Sequence, residues 1–264
     1  MKLAISNIAW IAEQDDSVYQ LMKKYGYSGL EIAPSRIIPN EPYEHIGYAV
    51  KWKEAIHEKG FIIPSIQSIW YGKTENIFAC EEDREILREY TKKAVIFAEA
   101  IGCPNLVMGC PKNRRVPESA GTEWAEKIAV PFFEELGEFA EEHNTVIALE
   151  AVPAIYNTNF INDTATAIEF IKKVGSVGFK LNLDVGTIIE NKESYGIIED
   201  NIDYINHVHI SEPGLKAIIQ REEHDQLGSL LKRLQYDKYI SVEMGKGYNI
   251  EGVMKYVADV FGNL

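Results

Sequence analysis

The sequence predicts an α/β fold, a (β/α)8 TIM barrel forming a single domain over residues 1–264. Three observations predict it. Short apolar runs alternate with longer amphipathic stretches along the whole chain. No Gly-rich turn of the GxGxxG or GxxxxGK[ST] kind follows the first run, which removes the usual mark of the open dinucleotide and P-loop sheets. Polar residues recur at the C-terminal ends of the runs, where a barrel gathers its working side chains.

The runs read as strands are LAISN (3–7), GLEIA (29–33), IIPSIQS (62–68), NLVMG (105–109), TVIALEA (145–151), FKLNLD (179–184), INHVHIS (205–211) and YISVEM (239–244). Each is apolar on both parities, as parallel strands covered on both faces should be. Between them the period changes. DDSVYQLMKKYG places Val18, Leu21 and Met22 on one stripe and ends at Gly26, a C-cap residue. DREILREYTKKAVIFAEAIG puts Ile86, Leu87, Tyr90, Ala94, Val95 and Ala98 at helical spacing and closes at Gly102. EWAEKIAVPFFEELGEFAEEHN, NDTATAIEFIKKVG and QLGSLLKRLQY follow the same pattern, with N-cap chemistry at residues 162–164. No Ser/Gly/Pro-rich linker or low-complexity tract divides the chain.

The charge narrows the partners. With 27 Lys and Arg against 40 Asp and Glu, the formal charge is −13. Nucleic-acid binding requires basic side chains against phosphates, so no nucleic-acid partner is expected. No apolar stretch approaches the ~18 residues of a membrane span, so no membrane partner is expected either. The three cysteines form no CxxC pair, and the N-terminus lacks the long apolar core of a signal peptide; both suit a reduced cytoplasmic setting. Homo-oligomerisation is left open.

In a barrel, the C-terminal ends of all strands share one face. Asn7, Glu31 and Gln67 fall at or near the ends of the first three runs, and Lys112 and Arg114 follow the fourth. Glu150, Asp184, His209 and Glu243 end the fifth to eighth. Carboxylates crowded at partly buried positions repel unless a positive charge lies between them. The expectation is one divalent metal ion held by Glu150, Asp184, His209 and Glu243. Oxygen donors with one imidazole suit Mn²⁺ first, with Mg²⁺, Co²⁺ or Zn²⁺ as alternatives. His207 is expected to point away from His209 as a packing or supporting histidine. His224, in REEHDQLG before the last helix of the list above, is placed over the barrel mouth. Lys112, Arg114 and Arg115 in GCPKNRR read as a rim clamp for an anion or hydroxyl. Trp10, Trp70, Tyr71 and Tyr156 are candidates for an aromatic wall.

Several segments together resemble the xylose isomerase-like barrels, the sugar phosphate isomerase/epimerase group. They are SNIAW, GLEIAP, SIQSIWYG, LVMGCPKNR, ALEAVPAIYNTNFI, LNLDVGT, HVHISEP and YISVEM, in order over nearly the whole length. That group includes ketose 3-epimerases, inosose isomerases and dehydratases, and apurinic endonucleases. The resemblance implies that Glu150, Asp184, His209 and Glu243 bind the metal and that Glu150 and Glu243 are also the catalytic acid/base pair. It implies a metal-dependent isomerase or epimerase of a small sugar, sugar derivative or polyol, working through an enediolate. Gln67, Lys112, Arg114, Tyr156, Glu212 and His224 are the expected substrate contacts. The alternatives are a dehydratase or lyase on a keto-polyol, and a non-catalytic sugar-binding barrel. The sequence departs from the pattern at two points. Thr187 stands where many ketose 3-epimerases have His, and Leu215 where they tend to have Arg, which weakens the case for free-ketose 3-epimerisation. Ala33 and Ser68 end the second and third runs without the extra His ligands of the endonucleases.

Overall fold

The computed structural model describes residues 1–262. Seven parallel strands carry the fold: β1 (Lys2–Ser6), β2 (Tyr27–Glu31), β3 (Leu106–Met108), β4 (Ile147–Glu150), β5 (Phe179–Asp184), β6 (Ile205–Ile210) and β7 (Tyr239–Val242). They are ordered β2-β1-β7-β6-β5-β4-β3. Each overlaps the run that predicted it; β1 and β2 begin one and two residues before theirs. The run at 62–68 is the exception: it contributes isolated bridges, Gly29 to Ile62, Ile32 to Ile66, and Ile66 to Leu106. Pro64 in its middle has no N–H to give a ladder. The segment still joins both neighbours. The Ile66 amide donates to Asn105 and the Gln67 amide to Ile32, so it closes the sheet between β2 and β3. The result is a TIM barrel.

The outer ring consists of α1 (Asp15–Lys24), α2 (Pro34–Ile37), α3 (Ile46–Glu58), α4 (Glu81–Ile101) and α5 (Thr122–Glu142) in the first half. In the second half it comprises α6 (Thr164–Val174), α7 (Val185–Asn191), α8 (Gly196–Glu199), α9 (Glu222–Arg233) and α10 (Ile250–Phe261). The stripe read in α4 buries Leu87, Ala94, Val95 and Ala98 and leaves Ile86 exposed. Gly102 takes the left-handed conformation (φ 70°) that ends this helix. At α6 the Asp163 carboxylate accepts from the Thr166 amide and supplies the predicted cap.

Two kinds of contact hold the helices to the barrel. Most are apolar: Phe133 on α5 stacks on Phe179 of β5 with ring centroids 5.1 Å apart, within a continuous cluster that runs from Leu3 to Phe261. The other is close backbone approach. A Cβ at Gly178, just before β5, would lie 2.1 Å from the Gly137 carbonyl oxygen of α5, so only glycine lets that helix seat. The three cysteines are free, and among the described residues no helix is long and apolar enough to cross a membrane.

Candidate metal centre

Parallel register sets the heights of the polar strand ends. Asp184 pairs with His209, His209 with Ser241, and Glu150 with Asn182. The His209 side chain is fully buried inside the barrel. Its Nε2 meets Glu31 Oε2 at 2.9 Å. Strands β2 and β6 are not neighbours in the sheet, so this bond spans the barrel interior. A proton on Nε2 leaves Nδ1 with its lone pair free. That atom faces Glu150 Oε2 at 3.1 Å and Glu243 Oε2 at 3.3 Å, but in neither case does the geometry make a hydrogen bond, and Nδ1 has no partner.

One imidazole nitrogen and two carboxylate oxygens therefore lie within 4.8 Å of one another. Donors about 2.0–2.2 Å from a common cation would be spaced on this scale, and the residue types fit a divalent ion. Two ionised carboxylates no more than 4.8 Å apart repel by at least roughly 3.5 kcal/mol at an effective dielectric near 20. The titration behaviour has the same cause. Burial pushes the carboxyl pKa values of Glu150 and Glu243 up; His209 partly offsets this. Burial and the Glu150 charge push Asp184 up to about 6. For His209 itself, burial disfavours the charged ring, yet Glu31 and Glu243, aided by Glu150, hold its pKa well above the ordinary value.

Asp184 stands beside this triplet rather than in it. Its Oδ2 accepts from the Thr187 amide and hydroxyl, both at 2.8 Å, and its Oδ1 accepts from Ser211 Oγ. It thereby caps α7 while facing the same cavity as Glu150 and Glu243. Asn182 donates to Glu150 Oε2 at 2.6 Å and fixes that carboxylate from below. Glu31, His207 and His209 form a second close group. Its nitrogen and oxygen atoms already bond one another and Ser241, so it reads as a hydrogen-bonded support.

A cavity of about 160 Å³ opens above the triplet. Glu150, Asp184, Glu212 and Glu243 line it, with Tyr156, Thr187, Ser211 and Leu215, and no Lys or Arg does. Tyr156 is held by the Gly214 amide, which donates to its hydroxyl at 2.6 Å. Glu212 accepts two bonds from Arg221, at 2.7 and 2.6 Å.

Other expected contacts lie elsewhere, each for a visible reason. Arg114 is fully buried, with its guanidinium donating to the carbonyls of Gly109, Phe160 and Glu150, so it pins strand ends and does not face the cavity. Lys112 is exposed and lines a separate cavity with Arg115. Gln67 is buried below the mouth, bonding Ser6 and Glu31. His224 is buried within α9 against Phe261 and meets the Tyr256 hydroxyl at 3.0 Å, so it packs inside the outer ring instead of over the mouth. His207 does not point away. Residues two apart share a strand face, and both imidazoles meet Glu31 Oε2, His207 at 3.1 Å. Trp10 and Trp70 are buried packing residues bonded to Asp15 and Thr91. Tyr71 is 72% exposed, leaving Tyr156 as the aromatic at the cavity.

Sequence reasoning placed Glu31 and Asn182 in strands without giving either a task. The available signal was a polar residue inside a strand buried on both faces.

Comparison with the sequences of curated proteins gave no match. Among solved structures, the chain is similar to 3-keto-D-glucoside 4-epimerase from E. coli, with a TM-score of 0.79 at 17% identity over 98% of this chain and 97% of that one. It is also similar to D-psicose 3-epimerase from Clostridium cellulolyticum H10, solved with D-tagatose, at 0.76 and 18% over 98% and 91%. A third likeness is to the IOLI protein, solved with a bound zinc atom, at 0.71 and 19% over 99% and 95%. At such identities the likeness is one of fold. The family model for the xylose isomerase-like TIM barrel matches residues 19–261, and the chain belongs to that family.

Proposed function

We propose that this protein is a divalent-metal-dependent isomerase or epimerase of a small sugar, sugar derivative or polyol. The observation that carries the reading is the partnerless Nδ1 of buried His209, aimed between the carboxylates of Glu150 and Glu243. The epimerases among its structural relatives support it. Glu150, His209 and Glu243 would hold the ion, and Asp184 would complete the set by giving up one of its hydroxyl bonds. A bound divalent ion supplies a Lewis acid that chelates neighbouring sugar oxygens and acidifies the C–H next to a carbonyl.

The chain's own residues do the rest. Burial raises the carboxyl pKa of both Glu150 and Glu243, the direction that makes a carboxylate a better proton acceptor. Glu150 ends β4 and Glu243 follows β7, three strands apart in the sheet, and both line the cavity. One can take a proton from the substrate carbon and the other return it. Asn182 keeps Glu150 oriented, while Tyr156 and Glu212 line the space for the substrate's hydroxyls. Four carboxylates and no cation in the wall favour a substrate that is uncharged at the end entering the cavity.

The test is proton NMR of ketoses, phosphorylated ketoses and inososes in D₂O with Mn²⁺. Wild-type protein should exchange a substrate C–H with solvent and form a stereoisomer or positional isomer. Glu243→Gln should keep the fold and slow exchange by at least about 10²-fold; a fully active variant would remove Glu243 from the reaction. A 2-keto-3-deoxy product instead of an isomer would make the protein a dehydratase.

A further inference from the structure

Glu31 is a carboxylate of the barrel interior that does not reach the cavity. It is 0% exposed and absent from the cavity wall. Its Oε1 accepts from Gln67 Nε2 at 3.2 Å, and its Oε2 sits between the Nε2 atoms of His207 and His209, at 3.1 and 2.9 Å. The two histidines depend on it unequally. His207 has a second anchor in Ser241 Oγ at 2.8 Å. Among the described residues, His209 Nε2 has Glu31 alone.

We infer that Glu31 is a positioning residue for the metal centre: by accepting the Nε2 proton of His209 across the barrel, it fixes the ring's orientation and tautomer and presents Nδ1 to the ion. This rests on the proposed metal-dependent function. An imidazole binds a metal through a bare nitrogen, and the hydrogen bond at its other nitrogen decides which one is bare. The reach from β2 makes the effect geometric as well. Without Glu31 the His209 ring is free to turn about its Cβ–Cγ bond. It could then offer either nitrogen, and the converging 3.1 and 3.3 Å approaches to Glu150 and Glu243 would no longer be set in advance. The negative charge also raises the ring's donor strength towards a cation.

The test is Mn²⁺ affinity, followed by electron paramagnetic resonance of the free ion, for wild type, Glu31→Gln and Ser241→Ala. Glu31→Gln should weaken binding about 10–100-fold. Ser241→Ala, which removes only the His207 anchor, should stay within about threefold. Equal affinity for wild type and a folded Glu31→Gln overturns the inference alone; equal losses in both variants do the same, since they signify general loosening. A wild-type chain that takes up no Mn²⁺ contradicts the proposed function and this inference together. A second measurement needs no variant. In ¹⁵N-histidine-labelled wild type loaded with Zn²⁺, His209 should be ligated through Nδ1 with Nε2 protonated. Ligation through Nε2 would overturn the assignment.

Discussion

Arg114 illustrates how a residue type can mislead at the barrel rim. A cation directly after a strand end suggested a substrate clamp, yet the guanidinium serves the carbonyls of Gly109, Phe160 and Glu150. The two roles predict different defects. A clamp would raise KM and leave stability alone. As a buried tie between strand ends, Arg114→Met should lower unfolding stability by about 2–4 kcal/mol, because buried carbonyls lose their partners; urea denaturation followed by circular dichroism checks it. Unchanged stability with weakened substrate binding would restore the clamp. The same scale explains what the sequence showed of the site and what it hid. Glu150, His209 and Glu243 were legible because each ends a strand that should be apolar throughout. Glu31 has the same signature, but its purpose depends on a partner on β6, three strands along the sheet and reached across the barrel interior, and chain order carries no sign of that. His224 failed for the opposite reason: its position in sequence lay near the mouth, and its burial inside α9 was a matter of packing.

At the level of elements, the alternation of periods located the seven strands and the helices α1, α4, α5, α6 and α9, but not α3, α10 or the short α2, α7 and α8. The segment at 62–68 is the instructive departure. Its composition is that of a buried strand, and Pro64 reduces it to isolated bridges that still close the sheet. The glycines were less legible. Gly26 and Gly102 announced themselves as helix ends, and both take positive φ. Gly178 looks like any loop glycine, but its missing side chain lets α5 rest on the start of β5. Gly178→Ala should cost about 3 kcal/mol, at the upper end for overpacking, since its Cβ would meet backbone that cannot yield. Thermal unfolding reads the loss, and a shift of less than a degree would mean that α5 can move away without penalty.

For the molecule as a whole, the charge is −13, and four of its acids line one cavity at the barrel mouth. The acidity that argues against a nucleic-acid partner is locally the proposed donor set for a cation. The fold alone hosts many chemistries, so the account stands on the ion more than on the barrel. The most direct measurement is a Mn²⁺ titration of chelator-treated wild type, Glu150→Gln and Glu243→Gln by electron paramagnetic resonance. One ion per chain in wild type is the predicted result, with affinity reduced at least about tenfold in each folded variant, the scale of losing a ligand's share in holding the metal. Wild-type protein that leaves Mn²⁺ free in solution, or variants that bind it as tightly as wild type, would contradict it.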